Sequence, residues 1–196
     1  RGQREGVHGA YSFGPVGQRI QIIMLDTRTH RSQLTRIGKG QFWRKGRYTP
    51  SRDHRQTMLG QDQWAWLSEA LNEPADLRIV VSSIQVLPER HGWERWGQLP
   101  MERAKLIDML HRRENVVVVS GDRHWSTMYK NDFGLTEMTT SSLNRPGRAS
   151  FPEKDVWRVG PPVIEANFGE VDIDWDKRTA MLRIINVDGM SVSELP

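Results

Sequence analysis

Three short apolar runs without helical periodicity stand out in the first two thirds of the chain, at residues 18–26, 77–83 and 115–121. Runs of this length, bounded by turn residues, predict buried strands, and the first is continuous enough to be buried on both faces. A further strand is predicted at 11–14, separated from the first run by a Gly-Pro-x-Gly turn. The pattern therefore predicts a sheet that begins close to the first residues of the chain.

Two segments between these strands repeat their apolar positions with helical spacing. In residues 61–71, Trp64 and Leu67 fall on one face. Residues 100–113 again carry leucines on one face, and Pro100 suits the first turn of a helix. Strands and helices thus alternate, which predicts an α/β sheet with partly parallel strands.

The loops that follow the three strands, at residues 27, 84 and 121, are expected to share one edge of this sheet. In such sheets, ligands gather beyond the carboxyl ends of the strands. After residue 134 the pattern changes to short apolar segments broken by turn residues, with no helical spacing between them. A mixed or antiparallel sheet is predicted to pack there.

Composition narrows the classes of protein and of partner. The chain has 196 residues, of which 37% are hydrophobic and 27% charged, as expected of one globular domain. It has no cysteine, which excludes disulfides and thiolate metal ligands. The net charge of +4 favours anionic partners, which include nucleic acids, phosphate esters and membrane surfaces.

Targeting signals are not visible in this sequence. No stretch approaches the roughly 20 apolar residues of a membrane span, and the first ten residues have no apolar signal-peptide core. Because the chain opens on Arg1 and soon continues as a strand, it is expected to be a piece of a longer protein.

The run GDRH at residues 121–124 follows the strand of four valines. Asp122 and His124 are two positions apart, so in extended backbone both side chains would project to the same side, and Gly121 would permit the close approach of a ligand. This arrangement suits a metal ion or a phosphate. The alternative is that Asp122 caps the turn and that His124 is a surface or packed histidine.

A second run, LDTRTHR, places Asp26, Arg28 and Arg31 after the first buried strand. The guanidinium groups could bind phosphate oxygens, although a structural salt bridge between Asp26 and Arg28 is the simpler interpretation. Between residues 28 and 55 there are nine arginines or lysines and one acid, Asp53. Such a run is either a solvated face or an electropositive rim that attracts anions.

The loop after the strand at 77–83 offers neutral and aromatic groups. Gln85 and the serines before it are expected to line the same edge, with no GxSxG motif to indicate a serine nucleophile. His91, Trp93 and Trp96 could form a lid or stacking platform, or pack between layers. The remaining histidines show no partner pattern and are expected at the surface: His8, His30, His54 and His111.

Six segments, taken in order, resemble the alkaline phosphatase D (PhoD-like) branch of the calcineurin-like metallophosphoesterases. They are MLDTR, LGQDQWAWLSEAL, IVVSSIQVLPERHGWERWGQLPMERAKLIDML, VVVVSGDRHWS, TEMTTSSL and ANFGEVDID. The resemblance implies an α/β (α+β) fold that forms part of a two-sheet β-sandwich flanked by helices. It also implies a cluster of metal ions such as iron with calcium, and hydrolysis of phosphomonoesters or phosphodiesters.

The resemblance assigns roles to individual residues. His124 is carried over as a catalytic metal ligand, and Asp122 as a ligand or a residue that supports one. Arg28 becomes a candidate catalytic residue and phosphate contact. Arg31, Gln85, which occupies a position where PhoD-like proteins commonly have glutamine, and Trp93 complete the predicted substrate contacts.

The family's leading metal motifs lie upstream of the region matched here. Residues 1–196 are therefore predicted to be a single domain, the C-terminal part of a PhoD-like phosphatase domain, inactive without an N-terminal half that would be its partner. Family resemblance also implies export, and it admits nucleic acid only as a substrate. Two alternatives stay open: a non-catalytic anion-binding or nucleic-acid-binding module, and a structural half-domain.

Overall fold

A computed structural model describes residues 5–38, 46–147 and 153–196 of the protein. Its strands, in chain order, are β1 (Gly9–Phe13), β2 (Ile20–Met24), β3 (Leu77–Val81), β4 (Val116–Ser120), β5 (Ser126–Lys130), β6 (Thr136–Thr139), β7 (Arg158–Val163), β8 (Asn167–Asp174), β9 (Thr179–Asn186) and β10 (Ser191–Leu195). Its helices are α1 (Gln61–Ala70) and α2 (Pro100–His111), with a short 3₁₀ helix at Trp96–Gln98.

Seven strands form one sheet in the spatial order β1-β2-β3-β4-β6-β5-β7, and three form a second sheet in the order β10-β9-β8. Strands β2, β3, β4 and β6 run parallel to one another, whereas β1, β5 and β7 are antiparallel to their neighbours. The smaller sheet is antiparallel throughout. The predicted α/β architecture with two sheets and partly parallel strands is therefore confirmed.

Both helices pack on one face of the large sheet. Alternate side chains of the central strands, including Ile23, Val80 and Val118, are wholly buried there. They share a core with Leu67 of α1 and Leu106 of α2, which are also wholly buried. The apolar positions that predicted the two helices are therefore the faces of α1 and α2 that pack on this side of the sheet.

The small sheet packs on the opposite face of the large one. Met128 of β5 and Met138 of β6 contribute to a second core from the large sheet. Leu182 and Ile184 of β9 meet them from the small sheet, and all four side chains are at most 2% exposed. This pairing of layers is the two-sheet arrangement that the family resemblance implied.

The part of this face that belongs to β1 and β2 is open, and we call it the apolar face: Tyr11, Phe13, Ile20, Ile22 and Met24. Strand register places Phe13 beside Ile20 and Tyr11 beside Ile22. Tyr11, Phe13 and Met24 are 45%, 55% and 41% exposed. The prediction that β2 is buried on both faces is therefore wrong, because the small sheet lies over other strands.

No helix in the described ranges is both long and apolar enough to cross a membrane.

Candidate functional site

The carboxyl ends of β2, β3 and β4 meet at one edge of the large sheet, as predicted. The hydroxyls of Thr27 and Ser83 are 2.6 Å apart, so the loops after β2 and β3 are in direct contact. The Ser82 amide donates to the Val119 carbonyl at 2.9 Å, which ties the second loop to β4. Three loops therefore form one surface at this edge, and the candidate site lies on it.

The GDRH loop (residues 121–124) follows β4 and makes a tight turn into β5. Asp122 and His124 have φ angles of 70° and 58°, in the left-handed region. The prediction of extended backbone is thus wrong, since β4 ends at Ser120. Left-handed backbone is uncommon for residues other than glycine, and its occurrence twice in one loop is typical of a functional turn.

Both predicted metal-binding side chains point outward from this turn. Asp122 and His124 are exposed. Among the described residues, the Asp122 carboxylate accepts no hydrogen bond from the backbone, so it does not cap the turn. Partial burial raises the pKa of Asp122, and the nearby Glu94 carboxylate also raises it, against the opposing effect of Arg28.

The residue between them, Arg123, points inward and was missed by the sequence analysis. Its guanidinium pairs with Glu153 at 2.8 Å, and the two side chains are 7% and 12% exposed. It also donates to His91 Nδ1 at 3.2 Å and lies over the Trp125 ring. Arg123 therefore anchors the GDRH loop and directs its two neighbours to the surface.

Arg28 and Arg31 converge on one carboxylate, that of Glu94, and we call these three residues the arginine–glutamate cluster. Arg31 Nη1 is 2.9 Å from Glu94 Oε2, and Arg28 contacts the same oxygen. Arg28 also lies 3.9 Å from the Asp122 carboxylate. Burial would raise the pKa of Glu94, but the two arginines hold it below its usual range. The cluster and the GDRH loop are thus neighbours.

The predicted salt bridge between Asp26 and Arg28 is absent from the described contacts. The Asp26 carboxylate instead accepts hydrogen bonds from the backbone amides of Val7, Arg28 and Thr29 at 2.8–2.9 Å. Burial alone would raise the pKa of Asp26, but these bonds and the Thr29 hydroxyl hold it well below its usual range. Asp26 shapes the turn, which leaves the Arg28 guanidinium available to Glu94.

Gln85, a predicted substrate contact, is wholly buried. Its amide nitrogen donates to Thr139 at 2.9 Å and Tyr129 at 3.2 Å, and its oxygen is 3.0 Å from His91 Nε2. It therefore cannot reach a substrate in this structure, and that assignment is corrected. Gln85 belongs to a buried polar network beneath the site, because its side chain extends into the protein from the loop after β3.

His91 belongs to the same network and is 5% exposed, so it is not part of a lid. Its Nδ1 accepts from Arg123 and from the Trp93 amide, both at 3.2 Å. Burial, together with Arg123 and Arg95, lowers the pKa of His91 to about 2. The imidazole is therefore neutral, with its proton on Nε2.

The two tryptophans of the loop after β3 separate. Trp96 is wholly buried, donates to Ser82 at 3.0 Å and packs edge-on against Trp64. Trp93 is 42% exposed beside Glu94 and stays a candidate substrate contact. The spacing of the aromatic residues could not predict which tryptophan is buried and which is exposed, because it does not indicate which side of the loop faces the core.

A buried acid holds this loop in place. Glu137 of β6 is wholly buried and accepts from the backbone amides of Val86 and Leu87 at 3.0 and 2.6 Å, and from the Ser120 hydroxyl. Burial raises the pKa of Glu137. The loop after β3 and the end of β4 are thus tied to one side chain.

Of the histidines expected at the surface, His54 and His111 are exposed, whereas His8 and His30 are partly buried. His8 lies against Trp66, with ring centroids 4.6 Å apart. None of the four lies in a described group of metal ligands.

The described residues contain no group of three or more side chains that could hold a metal ion. Asp122 and His124 supply one oxygen donor group and one nitrogen donor group, which suit hard and borderline ions. Two such ligands are fewer than iron, calcium or zinc requires. The described residues alone therefore do not complete a coordination sphere, and the metal-ligand role of both residues stays a prediction.

The sequence profile of PhoD-like phosphatases matches residues 2–179. Among curated protein sequences, none matches the chain. Similar solved structures include PhoD, 16% identical with a TM-score of 0.61, covering 95% of this chain and 44% of that one. The chain also resembles GAP50, the anchor in the inner membrane complex of Plasmodium, at 14% identity and a TM-score of 0.60, covering 97% and 53%.

A third similar structure is the purple acid phosphatase PPD1 from yellow lupin seeds, 13% identical with a TM-score of 0.59. The match covers 95% of this chain and 32% of that one. At such identities the likeness shows the fold, and it confirms the predicted metallophosphoesterase-like architecture. The chain spans about half or less of the length of each of these structures.

Proposed function

Because the chain belongs to the PhoD-like phosphatase family, we propose that it is part of a metal-dependent enzyme that hydrolyses phosphate esters. One observation carries the proposal beyond family membership. The exposed acid and histidine of the GDRH loop lie beside two arginines, with Arg28 at 3.9 Å from Asp122. Carboxylate, imidazole and guanidinium groups are those that metal-assisted phosphoryl transfer uses.

In this proposal, Asp122 and His124 bind metal, and iron with calcium are the ions that the family resemblance implies. When bound, such ions polarise the phosphoryl group and activate water. Arg28 and Arg31 bind the phosphoryl oxygens, where their planar guanidinium groups offer paired donors. The exposed ring of Trp93 contacts the leaving group. Arg123 keeps Asp122 and His124 directed outward through its ion pair with Glu153.

Further polypeptide is proposed to supply the remaining ligands. Two observations support this: the chain spans less than half of the PhoD structure, and the apolar face is open on β1 and β2. Contiguous apolar patches of this kind mark interfaces. We propose that the N-terminal half of a PhoD-like domain covers this face, and that the chain alone is inactive. Export is also part of the proposal and is tested by fractionating cells that express the whole protein.

A non-catalytic anion-binding role is the rival. The GAP50 neighbour is described as an anchor, so the fold by itself does not select catalysis. However, several arginines of the basic run are already paired, since Arg28 and Arg31 contact Glu94 and Arg55 contacts Asp53 at 2.9 Å. Arg28 and Arg31 thus converge on one carboxylate, as they would on one phosphoryl group, and Arg55 is paired separately. This arrangement favours a single phosphate ester over an extended nucleic-acid strand.

Hydrolysis of 4-nitrophenyl phosphate and bis(4-nitrophenyl) phosphate tests the proposal. The rates are measured for the chain alone and for the chain produced together with the N-terminal half of a PhoD-like domain. We expect hydrolysis by the combined protein that a chelator abolishes and added iron or calcium restores. Comparison of the two substrates gives the preference between monoester and diester.

The rival gives a different set of results. A nucleic-acid-binding module binds an oligonucleotide with an affinity that falls steeply with salt and ignores chelators. That result, combined with no hydrolysis of either ester by the metal-loaded combined protein, would refute the phosphoesterase proposal.

A further inference from the structure

A cavity of about 360 Å³ lies at the other end of the sheet from the candidate site, and we call it the distal cavity. Its wall includes Leu77, Val116 and Thr136, the first residues of β3, β4 and β6. The GDRH loop follows the last residue of β4, which is roughly 13 Å away along the strand. The two places are therefore separate, and the inference drawn from the cavity does not rest on the proposed function.

Three elements enclose the distal cavity. The large sheet forms one wall, the last turn of α2 a second, and the hairpin of β8 and β9 a third. Its volume falls within the range of small-molecule sites. Because the walls come from segments far apart in the sequence, the cavity is a product of the packing between the two sheets.

Part of the lining of the cavity is apolar. Leu77, Leu110 and Leu135 line it and are at most 6% exposed. Ile173 and the ring of Trp175 line it from β8 and the turn that follows, and both are partly buried. These five side chains offer apolar contact to a hydrocarbon body, beside polar lining residues such as Asn115 and Thr179.

The rim of the cavity is cationic. Arg113, Lys130 and Arg178 line it, together with one acidic side chain, that of Asp76, and with Pro196. Asp76 accepts from the Arg19 amide at 2.8 Å and lies 3.6 Å from Arg178. Its charge is therefore already engaged.

The other two cations of the rim are not neutralised. Arg113 donates to the neutral amide of Asn72. Among the described residues, the Lys130 ammonium forms no ion pair. A single anionic group at the mouth of the cavity would compensate this excess of positive charge.

Basic residues near the end of α2 have a simpler explanation, because cations there stabilise the helix dipole. That explanation applies to Arg113. It does not apply to Lys130 or Arg178, which come from β5 and from the turn between β8 and β9. The helix dipole therefore does not explain why cationic side chains from three different elements lie at the mouth of one cavity.

We propose that the distal cavity binds a small organic anion with an apolar body and a single carboxylate or phosphate group. The body would lie against Trp175 and the buried leucines. The anionic group would contact Lys130 and Arg178, since the Arg178 side chain is 65% exposed and its 3.6 Å approach to Asp76 is longer than a hydrogen bond. Such a site combines an apolar lining with a few polar groups that fix orientation, as small-molecule sites generally do.

Calorimetric titration of the protein with 1-naphthoate, 1-naphthylphosphonate and neutral 1-naphthalenemethanol tests this proposal. We expect saturable binding of at least one anion, and binding of the neutral compound weaker by about tenfold or more, the scale of a charge-assisted contact. The tighter of the two anions identifies the anionic group that the site prefers.

Variants place the binding in the cavity. Lys130→Gln and Arg178→Gln should each weaken anion binding by about tenfold. Lys177→Gln is the matched control, because Lys177 lies in the same hairpin turn, pairs with Asp174 and does not line the cavity. It should leave the affinity unchanged.

NMR of the wild-type protein locates the bound ligand without requiring that the variants fold. In amide and indole NMR spectra, 1-naphthoate should shift Trp175, Thr136 and Ala180, all of which line the cavity. Equal affinity for the neutral compound, unchanged affinity in both charge variants, or shifts confined to the apolar face would overturn the proposal.

Discussion

At the scale of single residues, the GDRH loop shows how left-handed backbone can separate exposed side chains from an anchored one. Asp122 and His124 adopt left-handed φ angles and are exposed, whereas Arg123 between them is anchored to Glu153 and His91. The motif identified the two outward residues. It could not identify Arg123, because its partners lie 30 and 32 residues away in the chain.

Glu94 is the residue whose removal tests the arginine–glutamate cluster. Its carboxylate occupies Arg28 and Arg31 as a phosphate group would. Glu94→Gln should therefore strengthen the binding of inorganic phosphate by about fivefold, or ~1 kcal/mol, as measured by calorimetry at fixed ionic strength. Glu89→Gln is the control, since Glu89 lies in the same loop as Glu94 but pairs with Arg103 of α2. An equal effect of both substitutions would contradict a specific role for Glu94.

His91 makes the stability of the fold depend on pH. Its pKa is about 2 in the folded protein, against about 6.5 in an unfolded chain. The unfolded state therefore binds more protons below pH 6.5, and the stability contributed by neutral His91 is lost as pH falls towards 2. Between pH 7 and 5.5 this lowers the free energy of unfolding by about 1 kcal/mol.

Urea unfolding at these two pH values checks the expectation. Glu137 acts with the opposite sign, because its raised pKa makes protonation stabilising as pH falls. The comparison with His91→Gln isolates the histidine: the variant should lack this part of the pH dependence, and exposed His54→Gln should keep it. Identical pH dependence in wild type and His91→Gln would refute this account.

At the scale of elements, the strands and helices with strong periodicity were predictable. Residues 61–71 and 100–113 contain α1 and α2, and the valine run contains β4. Strands β5 and β10 were not predicted, since STMYK and SVSEL carry no continuous apolar run. In β5, burial comes from the layers on both sides rather than from its own composition.

The contact between the loop after β2 and the loop after β3 also could not be predicted from the sequence. The amides of Arg47 and Tyr48 both donate to the Gly92 carbonyl at 2.7 Å, and Tyr48 also approaches Glu94 at 3.5 Å. Gly46 permits this approach with a φ of 130°. A Cβ there would lie 2.0 Å from the Gly92 carbonyl carbon.

Gly46→Ala should therefore lower the free energy of unfolding by about 2 kcal/mol or more, through left-handed strain and a steric clash. Thermal and urea unfolding measure the loss. Gly17→Ala is the control, because Gly17 has a φ of 86° and open space around it, so it reports strain alone. If the two variants lost equal stability, the contact between the loops would not be tight.

At the scale of the whole molecule, the open apolar face is the main departure from expectation. The sequence pattern of β2 indicated burial on both sides, and one side is only partly covered. Periodicity reports that a residue is suited to burial, but it does not report which layer covers it. This is why the two-sheet fold was predictable and the extent of its covering was not.

The apolar face should make the isolated protein self-associate. Replacing Phe13 and Met24 together by lysine should lower the weight-average sedimentation coefficient at high protein concentration, because charge opposes burial of the face. Val187→Lys, in the turn between β9 and β10 and 72% exposed, should have no such effect because it lies outside the apolar face. A protein that is monomeric at all concentrations, with or without these substitutions, would contradict an interface at this face.

The measurement that tests the central claim most directly is the rate of bis(4-nitrophenyl) phosphate hydrolysis by His124→Ala. It is made on the protein combined with the N-terminal half of a PhoD-like domain, with metal supplied in excess. The account predicts that the rate falls by at least about 100-fold, equivalent to ~2.7 kcal/mol of transition-state stabilisation, while His54→Ala retains the wild-type rate. Chelator-sensitive hydrolysis at the wild-type rate by His124→Ala would contradict it.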